Sequence, residues 1–85
     1  MPEISRFLGI VITMFYNDHG PPHFHAVYGS NAATISIREE RVTGEFPTRA
    51  LRLVLEWCSL HRDELLENWE LAQQRKPLKR IAPLE

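Results

Sequence analysis

The sequence predicts an α+β domain, an antiparallel β-meander of three to four strands followed by two C-terminal helices packed on one face. Three observations lead there. Short β-branched and apolar runs separated by turn residues fill the first half of the chain. After Gly44 and Pro47 the hydrophobic period changes from that of a strand to that of a helix. The length, 85 residues, gives room for one core and no second. Residues 1–85 are therefore expected to form a single domain: a meander over 1–46, a helical part over 47–76 and an extended tail over 77–85.

Taken in order, Ile4 to Arg6 reads as a short first strand that turns near Leu8-Gly9. Leu8 to Tyr16 (L-G-I-V-I-T-M-F-Y) is rich in β-branched and aromatic residues and reads as a strand. It places Ile10, Ile12 and Met14 on one face, and Val11, Thr13 and Phe15 on the other. Both faces are fairly apolar, which suits a central or covered strand. His23 to Tyr28 and Ala32 to Ile37 follow as strands, with Gly29-Ser30-Asn31 turning between them. Ala33, Ile35 and Ile37 alternate with Thr34, Ser36 and Arg38, giving one dry and one wet face.

In the second half Leu51, Val54, Leu55 and Cys58 recur at helical spacing, with Thr48 as the expected N-cap. Leu65, Leu66, Trp69 and Ala72 continue the pattern. Asp63, Glu64 and Glu67 stand where a new helix N-terminus favours anions, and Arg75 and Lys76 where its C-terminus favours cations. The charges thus predict a break near His61, although no Gly or Pro interrupts residues 48–76. Pro77 ends the helical part. The tail L-K-R-I-A-P-L-E is too short to fold alone and is expected to pack on the domain or on a partner.

Bulk composition narrows the functional classes. With 44% apolar and 25% charged residues the chain is not globally disordered. No apolar run approaches the roughly 20 residues that span a bilayer, and the opening M-P-E-I-S-R-F does not resemble a signal peptide. Cys58 is the single cysteine, so no intrachain disulfide forms and a reducing, cytoplasmic compartment is expected. A net charge of −1 gives no global attraction to nucleic acid.

The densest chemistry lies in N-D-H-G-P-P-H-F-H, where three of the four histidines fall between Asn17 and His25. His23 and His25, two apart on a strand, project from the same face. They are the candidate acid–base groups, since imidazole titrates near neutrality. Equally, His19, His23 and His25 can ligate a divalent metal, with Asp18 completing the shell; no residue pattern demands the ion. Pro21 and Pro22 fix backbone angles and lower the entropy lost in assembling such a site. The structural alternative stays open: if Tyr16 pairs with His23, then His25 falls opposite Met14 on the Ile10–Ile12 face as a half-buried imidazole. A one-residue change of register moves both histidines to the other face.

Arg49 and Arg52 share a face in the first turn of the first helix, where with free N–H groups they can hold a phosphate or carboxylate. Local pairing with Glu45 and Glu56 is the alternative. R-K-P-L-K-R carries four positive charges in six residues, which suits either an RNA backbone or solvated lysines beyond a helix end. Trp57 and Trp69 are expected in the core, and Cys58 is expected to be inert packing.

P-E-I-S-R-F-L-G-I, N-D-H-G-P-P-H-F-H-A-V-Y, R-A-L-R-L-V-L-E-W and H-R-D-E-L-L-E-N-W-E-L-A together resemble the bacterial DUF4160 family, over nearly the whole chain. The resemblance marks Pro21, Pro22, His23, His25, Leu65 and Trp69. It implies a short cytoplasmic protein, often encoded beside a small companion as in toxin–antitoxin pairs, and no established reaction. Two expectations follow. One is a toxin-like or binding component joined to a companion protein or to itself. The other is a small RNA-cleaving or metal-binding enzyme built on His23 and His25, with Arg49 and Arg52 holding phosphate.

Overall fold

A computed structural model describes residues 2–84. Met1 and Glu85, the outer ends of the expected domain and tail, lie outside the described residues. The architecture is the expected α+β: strands β1 (Glu3–Phe7), β2 (Ile10–Thr13), β3 (His23–Tyr28), β4 (Asn31–Ser36) and β5 (Val42–Glu45) precede helices α1 (Thr48–Leu60) and α2 (Arg62–Gln73). All five strands form one antiparallel sheet in chain order, one more strand than the sequence predicts.

Turn chemistry sets the register. Leu8 and Gly9 both adopt left-handed angles, φ 51° and 84°, and close a two-residue hairpin between Phe7 and Ile10. The second tight hairpin uses Gly29, φ 60°, with Ser30, and pairs Tyr28 with Asn31. β2 is shorter than the predicted Leu8–Tyr16 run: the sheet ladder stops at Thr13, and Asn17 takes a left-handed φ of 53°. β5 was not separately expected. Its Gly44, φ 111°, lies so close to β4 that a Cβ there would come within 2.6 Å of the Ala32 carbonyl oxygen.

One face of the sheet carries the core. Ile10, Ile12, Phe24, Ala26, Ala33 and Ile35 are buried on it and are covered by α1 and α2. α1 contributes Ala50, Val54, Trp57 and Cys58; of the predicted set Val54 and Cys58 are buried, while Leu51 and Leu55 are half-buried and Ala50 and Trp57 complete the stripe. Trp57 packs on Phe7 and Phe24, with ring centroids 5.4 and 5.7 Å away. α2 contributes Leu65, Asn68, Trp69 and Ala72. Both tryptophans are thus core. Cys58 is fully buried, and that burial pushes its thiol up to about 11.

The break falls at His61, whose φ and ψ of −121° and 26° leave the helical region; Asp63 and Glu64 occupy the first turn of α2. Two end details differ from expectation. Pro47 and not Thr48 is the N-cap: its carbonyl accepts the first helical bond, from the Leu51 N–H at 2.8 Å, so Thr48 is already helical. α2 stops at Gln73, before Arg75 and Lys76. Arg75 takes φ 58°, and the N–H groups of Arg75 and Lys76 donate back to the Ala72 and Leu71 carbonyls. This is a Schellman ending with arginine where glycine is usual.

The tail packs on its own domain. Ile81 is buried and its N–H donates to the Ile4 carbonyl at 2.8 Å, Trp57 Nε1–H donates to the Ala82 carbonyl, and the Asn68 amide bonds both backbone groups of Lys79. Lys79 pairs with Glu67 and Arg80 with Glu3, so two of the four charges in R-K-P-L-K-R are engaged locally.

Candidate metal centre

β3 pairs with β2 so that His25 lies opposite Thr13 and Ala26 opposite Ile12. This is the alternative register, one residue from the Tyr16–His23 pairing. It turns His23 and His25 onto the sheet face opposite the core, beside Thr13, Thr34 and Ser36. Neither imidazole is therefore a core histidine.

The loop before β3 brings Asp18 to them, and α2 holds that loop in place. The Asn17 N–H donates to the Ala72 carbonyl at 3.1 Å, and Gln73 Nε2 donates to the Asp18 carbonyl at 3.1 Å. A helix C-terminus leaves carbonyls without helical partners, and here one of them anchors the site loop. On the sheet side, the Ile37 N–H donates to the Pro22 carbonyl, extending the β3–β4 pairing one residue into the Pro-Pro segment. The Gly20–Pro21 bond is cis. Trp69 supports His23 from α2, ring centroids 5.1 Å apart, and Phe15 meets His25 edge-on at 4.3 Å.

Asp18 Oδ2 lies 2.9 Å from His23 Nε2 and 3.9 Å from His25 Nε2. One ligating atom from each of the three residues falls within 4.8 Å of the others. The other ring nitrogens define the proton positions. His23 Nδ1 is 2.9 Å from the Pro21 carbonyl oxygen, which can only accept, so Nδ1 carries hydrogen. The neutral ring then has a bare Nε2 facing a carboxylate oxygen, an arrangement that needs a further proton or a cation between them. His25 Nδ1 meets Thr34 Oγ1 at 3.4 Å. His25 Nε2 is sealed from solvent and has no hydrogen-bond partner, although its ring is a quarter exposed.

Electrostatics act on Asp18 and His25. Burial pushes His25 below its usual value, and the charge of His23 adds to this while Asp18 opposes it. For Asp18, desolvation works to raise the carboxyl, but the His19 amide, the bond to His23 and the imidazole charges outweigh it and hold it below the usual range. The result is an anionic oxygen and two Nε2 atoms aimed together.

Such a set suits a divalent first-row ion. Ligand atoms about 2.1 Å from a tetrahedral ion stand roughly 3.4 Å apart, and the observed 2.9 and 3.9 Å bracket that value. Two imidazoles and one carboxylate are a common donor set for metals that keep a coordination position open.

Not every candidate from the sequence joins the cluster. His19 is exposed, and its backbone N–H, at 2.8 Å from Asp18 Oδ1, is its link to the site. His61 bonds Glu64 and lies tilted against Trp57 at the helix junction. Arg49 and Arg52 are exposed at the start of α1, and Arg49 borders a hollow with Tyr28, at the far end of β3 from His23. Five residues of strand separate those ends, about 16 Å. Sequence reasoning missed Thr34 and Arg41, which lie near the histidines. The two-residue Gly29-Ser30 turn fixes His25 opposite Thr34 and was the signal for the first; nothing comparable pointed to Arg41.

Among the described residues no helix is long and apolar enough to cross a membrane. No curated protein and no solved structure matches the chain. A family model, Domain of unknown function (DUF4160), matches residues 9–70, from β2 through Trp69, including Asp18, His23 and His25. The chain therefore belongs to the DUF4160 family.

Proposed function

We propose that this protein binds one divalent first-row metal ion through Asp18 Oδ2, His23 Nε2 and His25 Nε2, and that the centre is its functional site. The observation that carries this is the buried, partnerless His25 Nε2 aimed at the Asp18 carboxylate already bonded to His23. A buried nitrogen without a partner costs about 1–3 kcal/mol, and a cation among the three atoms removes that cost. The neighbours fit the role. The Pro21 carbonyl takes the His23 Nδ1–H bond, which fixes the tautomer that frees His23 Nε2, and Thr34 Oγ1 stands where it can accept from His25 Nδ1 when an ion takes His25 Nε2. With three protein ligands the ion retains a position for water or a substrate oxygen, which supports an enzymatic role for His23 and His25 as ligands more than as bare acid–base groups.

Zinc titration of tag-free protein by calorimetry tests this. One ion per chain is expected. Asp18→Ala and His25→Ala should weaken binding beyond the roughly 10- to 100-fold typical of losing a residue that only supports a ligand, while His19→Ala and His61→Ala leave it intact. Wild-type affinity no greater than that of folded Asp18→Ala/His25→Ala protein refutes the site.

A second reading, a binding component of a two-gene toxin–antitoxin-like module, draws on a separate feature. Leu8 is 62% exposed beside Tyr28, and both line a hollow of about 100 Å³ with Pro47, Arg49, Ala50 and Leu53. Co-expression with the protein encoded alongside tests it; a monomer that never co-purifies with that protein rules it out.

A further inference from the structure

Across the strands from the histidines, one row of the same sheet face runs His25–Thr34–Thr43, and the next pairs His23 with Ser36. This face sinks into a hollow of about 190 Å³ lined by Pro21, His23, Thr34, Ser36, Thr43 and Arg41, with Glu39 also on its wall. A larger hollow of about 320 Å³ shares Pro21, Ser36 and Glu39 and adds Pro22 and Arg38.

We infer that the smaller hollow binds the phosphoryl group of a phosphate ester substrate beside the metal, with the larger one taking the ester's organic part. Three hydroxyls and a guanidinium match the several acceptor oxygens of a phosphoryl group, and arginine suits it geometrically. Ser36 is already oriented: its Oγ accepts the Arg41 N–H at 2.8 Å, which leaves its hydroxyl hydrogen to donate elsewhere. Thr34 links hollow and metal. When the ion occupies His25 Nε2, His25 Nδ1 must carry hydrogen, so Thr34 Oγ1 accepts and its own hydrogen turns to another acceptor. The larger hollow supplies two proline rings and Arg38 next to this point.

This inference rests on the metal reading. Glu39 opposes an anion in the hollow, and the charge of a divalent ion beside His23 reverses the local sign. Metal and phosphoryl group should therefore bind cooperatively, each raising the affinity of the other by the same factor.

The test measures zinc affinity of the full chain alone, then with phenyl phosphate as a monoester probe and dimethyl phosphate as a diester probe. About a tenfold gain in zinc affinity with at least one probe is expected, and the probe with the larger gain identifies the ester class. Arg41→Ala and Thr43→Val should abolish that gain while zinc affinity without probe stays within about twofold, since neither touches the ion. Thr34→Ser should retain it. If zinc binds but neither probe strengthens it, the inference fails and the metal reading stands. A gain that survives both Arg41→Ala and Thr43→Val also overturns it, because the ion alone then attracts the ester. Absence of zinc binding before any probe is added refutes both together.

Discussion

Two side chains in this small domain carry polar atoms sealed from solvent, and the two are treated in opposite ways. Asn68, on α2 under the tail, is 1% exposed, and both atoms of its amide are bonded: Nδ2–H to the Lys79 carbonyl and Oδ1 from the Lys79 N–H, each at 2.9 Å. His25, on the opposite face of the sheet, keeps Nε2 out of solvent with no hydrogen-bond partner, 3.9 Å from the Asp18 carboxylate. The first arrangement joins the tail to the domain and answers the usual requirement that buried polar atoms be paired. The second violates it beside an anionic carboxylate and another imidazole, which is where violations mark function. Ser5 Oγ is also buried without a partner. It sits beside a strand irregularity in β1, with no convergent ligand set among the described residues, so its hydroxyl bears on packing alone.

The sharpest way to widen the contrast is Asn68→Ala. Removing the amide leaves the Lys79 N–H and carbonyl without their part-buried partner, at about 1–3 kcal/mol for each group that water cannot reach. For a domain this size that is a large part of its stability. Urea midpoints should fall accordingly, and proteolysis should cut within residues 76–84 at concentrations that spare the wild type. An unchanged midpoint with a still-protected tail would mean that Ile81 and Trp57 hold the tail without the amide.

His25→Leu should go the other way. Nε2 has no hydrogen bond to lose and the Nδ1 contact to Thr34 is long at 3.4 Å, so in metal-free buffer the stability should hold within about 1 kcal/mol. With zinc at a hundred times its dissociation constant, the wild type alone should gain about 2.7 kcal/mol. A large loss of stability in chelator-treated His25→Leu would show that the nitrogen has a structural partner, and the contrast with Asn68 would collapse.

The difference between the two regions also explains what could be read from the chain. The hairpin turn at Leu8-Gly9, a turn within Gly29-Ser30-Asn31 (of which Asn31 belongs to β4), the switch of period after Pro47 and the break at His61 each follow from local chemistry, because glycine, proline and clustered charge act within a few residues. β5 escaped because Val42–Glu45 is four residues long with a glycine inside, too short to establish a period. The pairing of His23 with His25 on one face was legible. Which face it would be was not, since a period of two fixes relative and not absolute phase. The loop from Met14 to Pro22 decides it, and that loop is held by the Ala72 carbonyl and Gln73, over 50 residues away in the chain. Arg49 and Arg52 illustrate the same limit. They have the chemistry for phosphate, but α1 begins at the wrong end of the sheet, and Arg41 occupies the neighbourhood they were expected to fill.

The smallest effect concerns how the tail side of the molecule answers to acid. Glu3 accepts from Arg6 and from Arg80 in the tail, and those bonds hold its carboxyl near 2 instead of the usual 4.5. A carboxyl with a lowered folded value stabilises the fold fully above its unfolded value, and the contribution disappears as pH falls through the folded one. Its loss should therefore run from about 4.5 down to about 2, and never appear as a gain on acidification. Asp18, also lowered, titrates in overlapping acid, so the readout is a difference: the wild-type midpoint minus that of Glu3→Gln, followed from neutral pH downward. That difference should be small because the pair faces solvent, should shrink further in high salt, and should vanish near pH 2. A difference that persists at that pH would assign the Glu3 contribution to packing under the tail and not to its charge.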